Sequence, residues 1–157
     1  MNKIVLNSPF KVAAEEQMAE FGVAFANQLQ PGDVVYLRGD LGVGKTTLAR
    51  AIIRALGFEG RVKSPSYGLI ESYPGSVMKA VHLDLYRLAD PAEVPDLGIE
   101  AYLDESAVLL IEWPERGQGQ LPPADWLIEI RDWPDPREAM TARELTVSRP
   151  SADPTRP

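Results

Sequence analysis

The 157-residue sequence predicts a single α/β domain: a mostly parallel central sheet flanked by helices, with antiparallel strands at its edges. Three observations carry that prediction. A β-branched strand at residues 34–37 runs straight into a glycine-rich loop, and a helical pattern at 46–56 follows the loop at once. Residues 107–111, Ala-Val-Leu-Leu-Ile, are apolar throughout, as expected of a strand covered on both faces. The composition, 45% apolar and 25% charged, is that of a chain with a core, and the domain is expected to occupy residues 1–148.

Taken in order, residues 3–6 read as a short first strand, and Ser8-Pro9 is good chemistry for starting a helix. Ala14, Met18, Phe21, Phe25 and Leu29 recur at helical spacing and form one core-facing stripe, which ends at the turn Pro31-Gly32-Asp33. Gly57 is placed to stop the second helix. Residues 67–73 and 77–85 flank Pro74-Gly75 and suggest a β-hairpin. Loop and short-helix signals fill 89–105, and residues 126–130 and 144–147 add strands at one edge. Residues 149–157, with three prolines and little apolar mass, are expected to be a disordered tail.

The absence of cysteine removes disulfides and thiolate metal sites, and suits a reducing compartment. The N-terminus has no basic start followed by an apolar segment, and the longest aliphatic run, 107–111, is too short to span a bilayer. A cytoplasmic protein without a membrane role is the expectation. The net charge of -7 is concentrated: residues 84–115 hold nine acids against one base, Arg87, so that stretch carries -8 and the remainder +1. Direct capture of a nucleic-acid backbone is therefore disfavoured. The acidic run is either a solvated face or a docking surface for a basic protein partner.

The chemistry lies in Gly39-Asp40-Leu41-Gly42-Val43-Gly44-Lys45-Thr46, which fits G-x-x-x-x-G-K-[ST] at every fixed position. Glycines let the backbone wrap phosphates with its N–H groups inward, Lys45 reaches the β and γ oxygens, and the Thr46 hydroxyl can bind magnesium. Chance yields the pattern in roughly one chain in a few hundred, and rarely between a strand and a helix. Mg-ATP or Mg-ADP is the expected ligand. Such a site also needs an acid at a neighbouring strand end and a group that orients water. Glu112, ending the apolar run, is favoured for magnesium; Asp84, on the same strand face as His82, is left to orient water or support the metal through water. His82, a lone histidine, reads as a hydrogen-bonded structural residue.

With those residues in place, the sequence resembles the TsaE (YjeE) family of P-loop ATPases, which serves the making of threonylcarbamoyladenosine in tRNA. Four blocks carry the resemblance: the loop through Thr47; Val62-Lys63-Ser64-Pro65-Ser66-Tyr67; His82-Leu83-Asp84-Leu85-Tyr86-Arg87-Leu88; and Ile111-Glu112-Trp113-Pro114-Glu115. The resemblance implies an ATP hydrolase, weak alone, that works with the TsaB and TsaD proteins and meets tRNA only through that complex. Leu41, Gly42, Val43, Gly44, Lys45, Thr46 and Thr47 would hold the nucleotide, Thr46 and Glu112 the metal, and Asp84, Glu112 and Lys45 would act in catalysis. Trp113 would form a wall beside them, the loop around Ser64-Pro65-Ser66 a switch, and Arg137 the adenine contact. Ser66 stands where the family usually has threonine, and Gly68 where another hydroxyl is common.

Other readings are weighed against this one. A small-molecule kinase needs an acceptor pocket and an arginine-rich lid, where residues 86–115 offer acids. A GTPase would read guanine through N-K-x-D, and the lone Asn2-Lys3 precedes the loop without the aspartate. In a nucleotide-gated binding module hydrolysis would be incidental.

Overall fold

The computed structural model describes residues 3–63, 69–103, 106–135, 137 and 142–150. Its centre is a seven-stranded sheet in the order β1-β7-β6-β2-β5-β4-β3. The strands are β1 Phe10–Val12, β2 Val34–Arg38, β3 Ile70–Tyr73, β4 Lys79–Asp84, β5 Ala107–Glu112, β6 Trp126–Asp132 and β7 Arg143–Ser148. The four middle strands, β6, β2, β5 and β4, run parallel, while β1, β7 and β3 are antiparallel to their neighbours. The fold is thus P-loop NTPase-like, with antiparallel strands on both flanks. Among the described residues no helix is long and apolar enough to cross a membrane.

Alternation within the strands sorts side chains into two cores. Val35, Leu37, Val108, Leu110, Ile128 and Ile130 pack with α1 (Glu15–Ala26) and α2 (Lys45–Ala55). Val34, Leu109, Ile111, Val81 and Leu83 face the other way, where Val94 and Ile99 of the 3-10 turns Pro91–Leu97 and Ile99–Ala101 cover them. Every residue of β5 is buried, which accounts for its uninterrupted apolar run. α2 ends one residue earlier than the pattern suggested, and Gly57 turns the chain at φ 98°, a conformation only glycine adopts cheaply.

The N-terminus departs from expectation. Residues 3–6 form no strand; just beyond them the Asn7 N–H donates to the Val147 carbonyl at 2.8 Å, and Asn7 takes φ 61°, which breaks an extended run. The first strand is β1, which pairs with β7. Pro9, lacking an N–H, immediately precedes that edge strand instead of opening a helix. α1 begins at Glu15 because Ala14 is extended there, Gln17 reaches back to accept from the Ala13 amide at 2.5 Å, and Glu15 and Glu16 suit the positive helix end. Ala14 is therefore an exposed cap, and the buried stripe starts at Met18; Leu29 lies past the helix but is still buried.

The hairpin around Pro74-Gly75 forms with shorter strands, because residues 76–78 are taken up by the end of α2: the Val77 amide donates to the Leu56 carbonyl at 3.0 Å. Residues 67 and 68 lie outside the described residues. β6, expected at the edge, is interior and parallel to β2, with β7 and then β1 beyond it. Of the expected tail, Arg149 rests with its guanidinium 4.2 Å from the Trp126 ring centre; residues 151–157 lie outside the described residues.

Candidate active site

The loop Gly39–Thr46 joins the carboxyl end of β2 to the start of α2. Gly44 caps that helix at φ 114° with no side chain to satisfy the first-turn amides, so the positive end of α2 opens toward a cavity. The cavity measures about 350 Å³; Leu41, Gly42, Gly44, Lys45, Thr46 and Thr47 line it on the loop side, and Asp84, Tyr86, Glu112 and Trp113 face them. The parallel register puts Asp84 opposite Glu112 at the ends of β4 and β5, so two carboxylates leave the sheet edge together.

Thr46, in the first turn of α2, has its Oγ1 3.1 and 3.2 Å from the two carboxylate oxygens of Glu112. Glu112 is only 2% exposed, and its Oε2 also lies 2.6 Å from Nε2 of fully buried His82. Lys45 donates to the carbonyls of Gly39 and Asp40, the latter at 2.9 Å, and its ammonium lies 4.1 Å from the centre of the Trp113 ring. Burial lowers the Lys45 pKa, against the pull of Glu112, Glu115, Asp84 and Asp40. Asp84 moves the other way: burial raises it, the Tyr86 amide hydrogen bond at 3.0 Å opposes, and the Glu112 charge adds to the rise.

Among the described residues no cluster of three or more His, Cys, Asp or Glu side chains is arranged to hold a metal. Thr46 and Glu112 offer hard oxygen donors at one point, which fits magnesium, an ion that takes few protein ligands and completes its shell with phosphates and water. A zinc-type site would need a richer set of donors.

Two features of the site escaped the sequence reading. Tyr86 and Trp113 pack at 5.1 Å between ring centres, and the Arg116 guanidinium lies 5.1 and 5.6 Å from them, so a base stands at the mouth just beyond the acidic run. Trp113 takes φ 58°, unusual for a bulky residue, and this turns the chain directly after Glu112. The second feature is a cavity of about 250 Å³ behind the loop, where Val12, Ala14 and Met18 meet Val43, Thr47 and Arg143. Arg143 donates through Nε to the Val43 carbonyl at 2.9 Å. Arg137, by contrast, is exposed and held by Asp135 at 3.0 and 3.1 Å. A β-strand arginine 100 residues from the loop leaves no local pattern; only the pairing of β7 with β1 and β6 brings it there. The expected switch residues 64–67, with Ser66, and Gly68 lie outside the described residues.

A glycine loop between a parallel strand and a helix, faced by strand-end carboxylates, defines a member of the P-loop NTPase-like class. Residues 12–140 match the family model described as threonylcarbamoyl adenosine biosynthesis protein TsaE, and the chain belongs to that family. It is similar to the tRNA threonylcarbamoyladenosine biosynthesis protein TsaE of Haemophilus influenzae, 46% identical over 128 residues, which covers 78% of this chain and 81% of that one. The Bacillus subtilis protein of the same name is 37% identical over 131 residues, 83% of this chain and 77% of the relative. The solved structure of Bacillus subtilis YdiB superposes with a TM-score of 0.69 at 28% identity, covering 89% of this chain and 82% of that one.

Proposed function

We propose that the chain is a magnesium-dependent ATPase, slow alone, that turns over ATP to ADP in support of the TsaB–TsaD proteins as they make threonylcarbamoyladenosine in tRNA. The observation that carries the ATPase reading is the meeting of Thr46 with Glu112, within 3.2 Å, at the open end of a phosphate loop. The tRNA role is supported by family membership and by the relatives' names; the partners follow from the family resemblance.

In this reading the first-turn amides of α2 and the loop glycines hold the phosphates. Lys45 exchanges the Gly39 and Asp40 carbonyls for phosphate oxygens, and Trp113 covers its other side. Thr46 and Glu112 hold magnesium, which when bound neutralises charge on the phosphates. Asp84, half-buried and shifted upward, orients the attacking water and is better suited to take its proton than an ordinary aspartate. The cavity at Arg143 adjoins Gly42, Gly44 and Thr47 and is the natural seat for the ribose and base.

The test is ATP hydrolysis by the chain alone, with purified TsaB and TsaD, and with tRNA added. Slow turnover alone and acceleration by the two proteins is the expected result. Tight ADP binding with no turnover in any arm would replace the ATPase with the nucleotide-gated module.

A further inference from the structure

We propose that His82 is a positioning residue for the metal-side carboxylate: it donates through Nε2–H to Oε2 of Glu112 and thereby fixes the face that Glu112 turns toward Thr46. The proposal rests on reading Thr46 and Glu112 as the magnesium side of the site. His82 lies on β4 opposite Leu110, two residues before Asp84, so on the shared face it reaches diagonally to Glu112. Ring and carboxylate are both buried, at 0% and 2% exposure.

A buried carboxylate needs more donors than Thr46 alone supplies, since the single hydroxyl is shared almost evenly between the two oxygens, at 3.1 and 3.2 Å. The 2.6 Å contact with His82 breaks that symmetry by engaging Oε2 and leaving Oε1 to the Thr46 side. The other ring nitrogen fixes the proton assignment. Among the described residues the buried His82 Nδ1 has no hydrogen-bond partner. An ionised carboxylate only accepts, so Nε2 must carry the proton, and a neutral ring then leaves Nδ1 a bare lone pair. The opposite tautomer would set two lone pairs against each other at 2.6 Å and bury an N–H with no acceptor. His82 serves here as a rigid single donor, as do the outer partners that orient metal ligands elsewhere.

The test uses the full chain with ADP, and Mn²⁺ as a paramagnetic probe for magnesium. His82→Leu is expected to weaken Mn²⁺ binding to the ADP complex by about tenfold or more, the usual cost of losing an orienting partner. ADP affinity measured in EDTA should stay within about twofold, because the loop amides are untouched. His82→Gln, whose amide nitrogen falls at the Nε2 position, should restore Mn²⁺ affinity to within about threefold of the parent. In a Glu112→Gln background His82→Leu should cost nothing more. If the parent itself binds no Mn²⁺ with ADP, the magnesium reading fails, and this inference with it. If the parent binds but His82→Leu loses neither affinity, or loses both in step, His82 is only a core residue. Should His82→Leu not fold, the unmodified protein still decides. His82 is the one histidine in the chain, so ¹⁵N spectra show a single ring; the Nε2–H form, with a proton resonance that moves when Mg²⁺ joins ADP, is expected. An Nδ1–H form, or no response to Mg²⁺, overturns the proposal.

Discussion

Asp84 and Glu112 are register partners at the ends of adjacent parallel strands and line the same cavity, yet their surroundings differ: Glu112 is held between Thr46 and His82, whereas among the described residues Asp84 has only the Tyr86 amide on Oδ1. Asp84→Asn and Glu112→Gln should each slow hydrolysis by about a hundredfold or more, the usual scale for a positioned acid or base. ADP affinity should fall by less than about tenfold, since the phosphate loop is intact. Glu112→Gln alone should also need more magnesium for its residual activity. The reverse ranking in a magnesium titration would exchange the two roles.

The same pair predicts a pH effect on stability. Burial raises Asp84, so between the free aspartate value, about 4, and its folded value the folded chain binds more protons than the unfolded one. That contribution is fully present at low pH and is lost as pH rises through the window. Asp84→Asn should therefore melt above the parent at pH 7, with the difference shrinking toward pH 4. Thermal melts without nucleotide check this, and identical curves at both pH values would contradict it.

How far the site could be read in advance depended on whether its signals were local. The loop, α2 and β5 were legible because glycine, lysine and threonine follow a strand at fixed spacing and β5 is apolar at every position. β6 misled because Trp126, Ile128 and Ile130 alternate with more exposed residues, the pattern of a strand covered on one face; the chain uses it in the middle of the sheet. Ser8-Pro9 carried helix-start chemistry but serves the approach to an edge strand. His82 reads as a hydrogen-bonded structural residue, and it is one, but its partner could not be named because Glu112 is 30 residues away and comes near through the β4–β5 register.

Lys45→Ala should abolish productive Mg-ATP binding while leaving the fold intact. Among the described residues its ammonium hydrogen-bonds to the loop carbonyls of Gly39 and Asp40, and burial already disfavours its charge. Water can take over those carbonyls, whereas nothing replaces the charge at the phosphates. Nucleotide titration and circular dichroism check both halves. Unchanged ATP turnover would sink the phosphate-loop assignment.

In the proposed reading, two arginines are candidates for the base end of the nucleotide. Arg143 is fastened to the loop at Val43, while Arg137 is exposed and paired with Asp135. Arg143→Ala should weaken ADP binding by about tenfold, the worth of one charge-assisted hydrogen bond. Arg137→Ala should leave it near normal. Calorimetry with ADP separates them; the opposite order would return the adenine contact to Arg137.

The last prediction concerns the partner surface. Glu93, Asp96 and Glu100 are all exposed on the two 3-10 turns that cover the β4–β5 side of the sheet, outside the residues lining the cavity at the glycine loop. The turns are anchored by Val94 and Ile99, which are buried, so the acids sit on a fixed surface and charge can be reversed there without opening the core. Complementary charge speeds and orients docking. An ATPase that is slow alone gains most from a partner that completes its site, because a supplied arginine can be worth about a thousandfold in rate. Reversing Glu93, Asp96 and Glu100 to lysine should therefore leave ADP affinity near normal, weaken TsaB–TsaD binding, and remove most of the partner-stimulated turnover. The loss of binding should ease as salt rises, since screening weakens the new repulsion. If the triple variant assembles and hydrolyses like the parent, the acidic turns are a solvated face and the docking surface lies elsewhere, with the mouth formed by Tyr86, Trp113 and Arg116 as the next region to test.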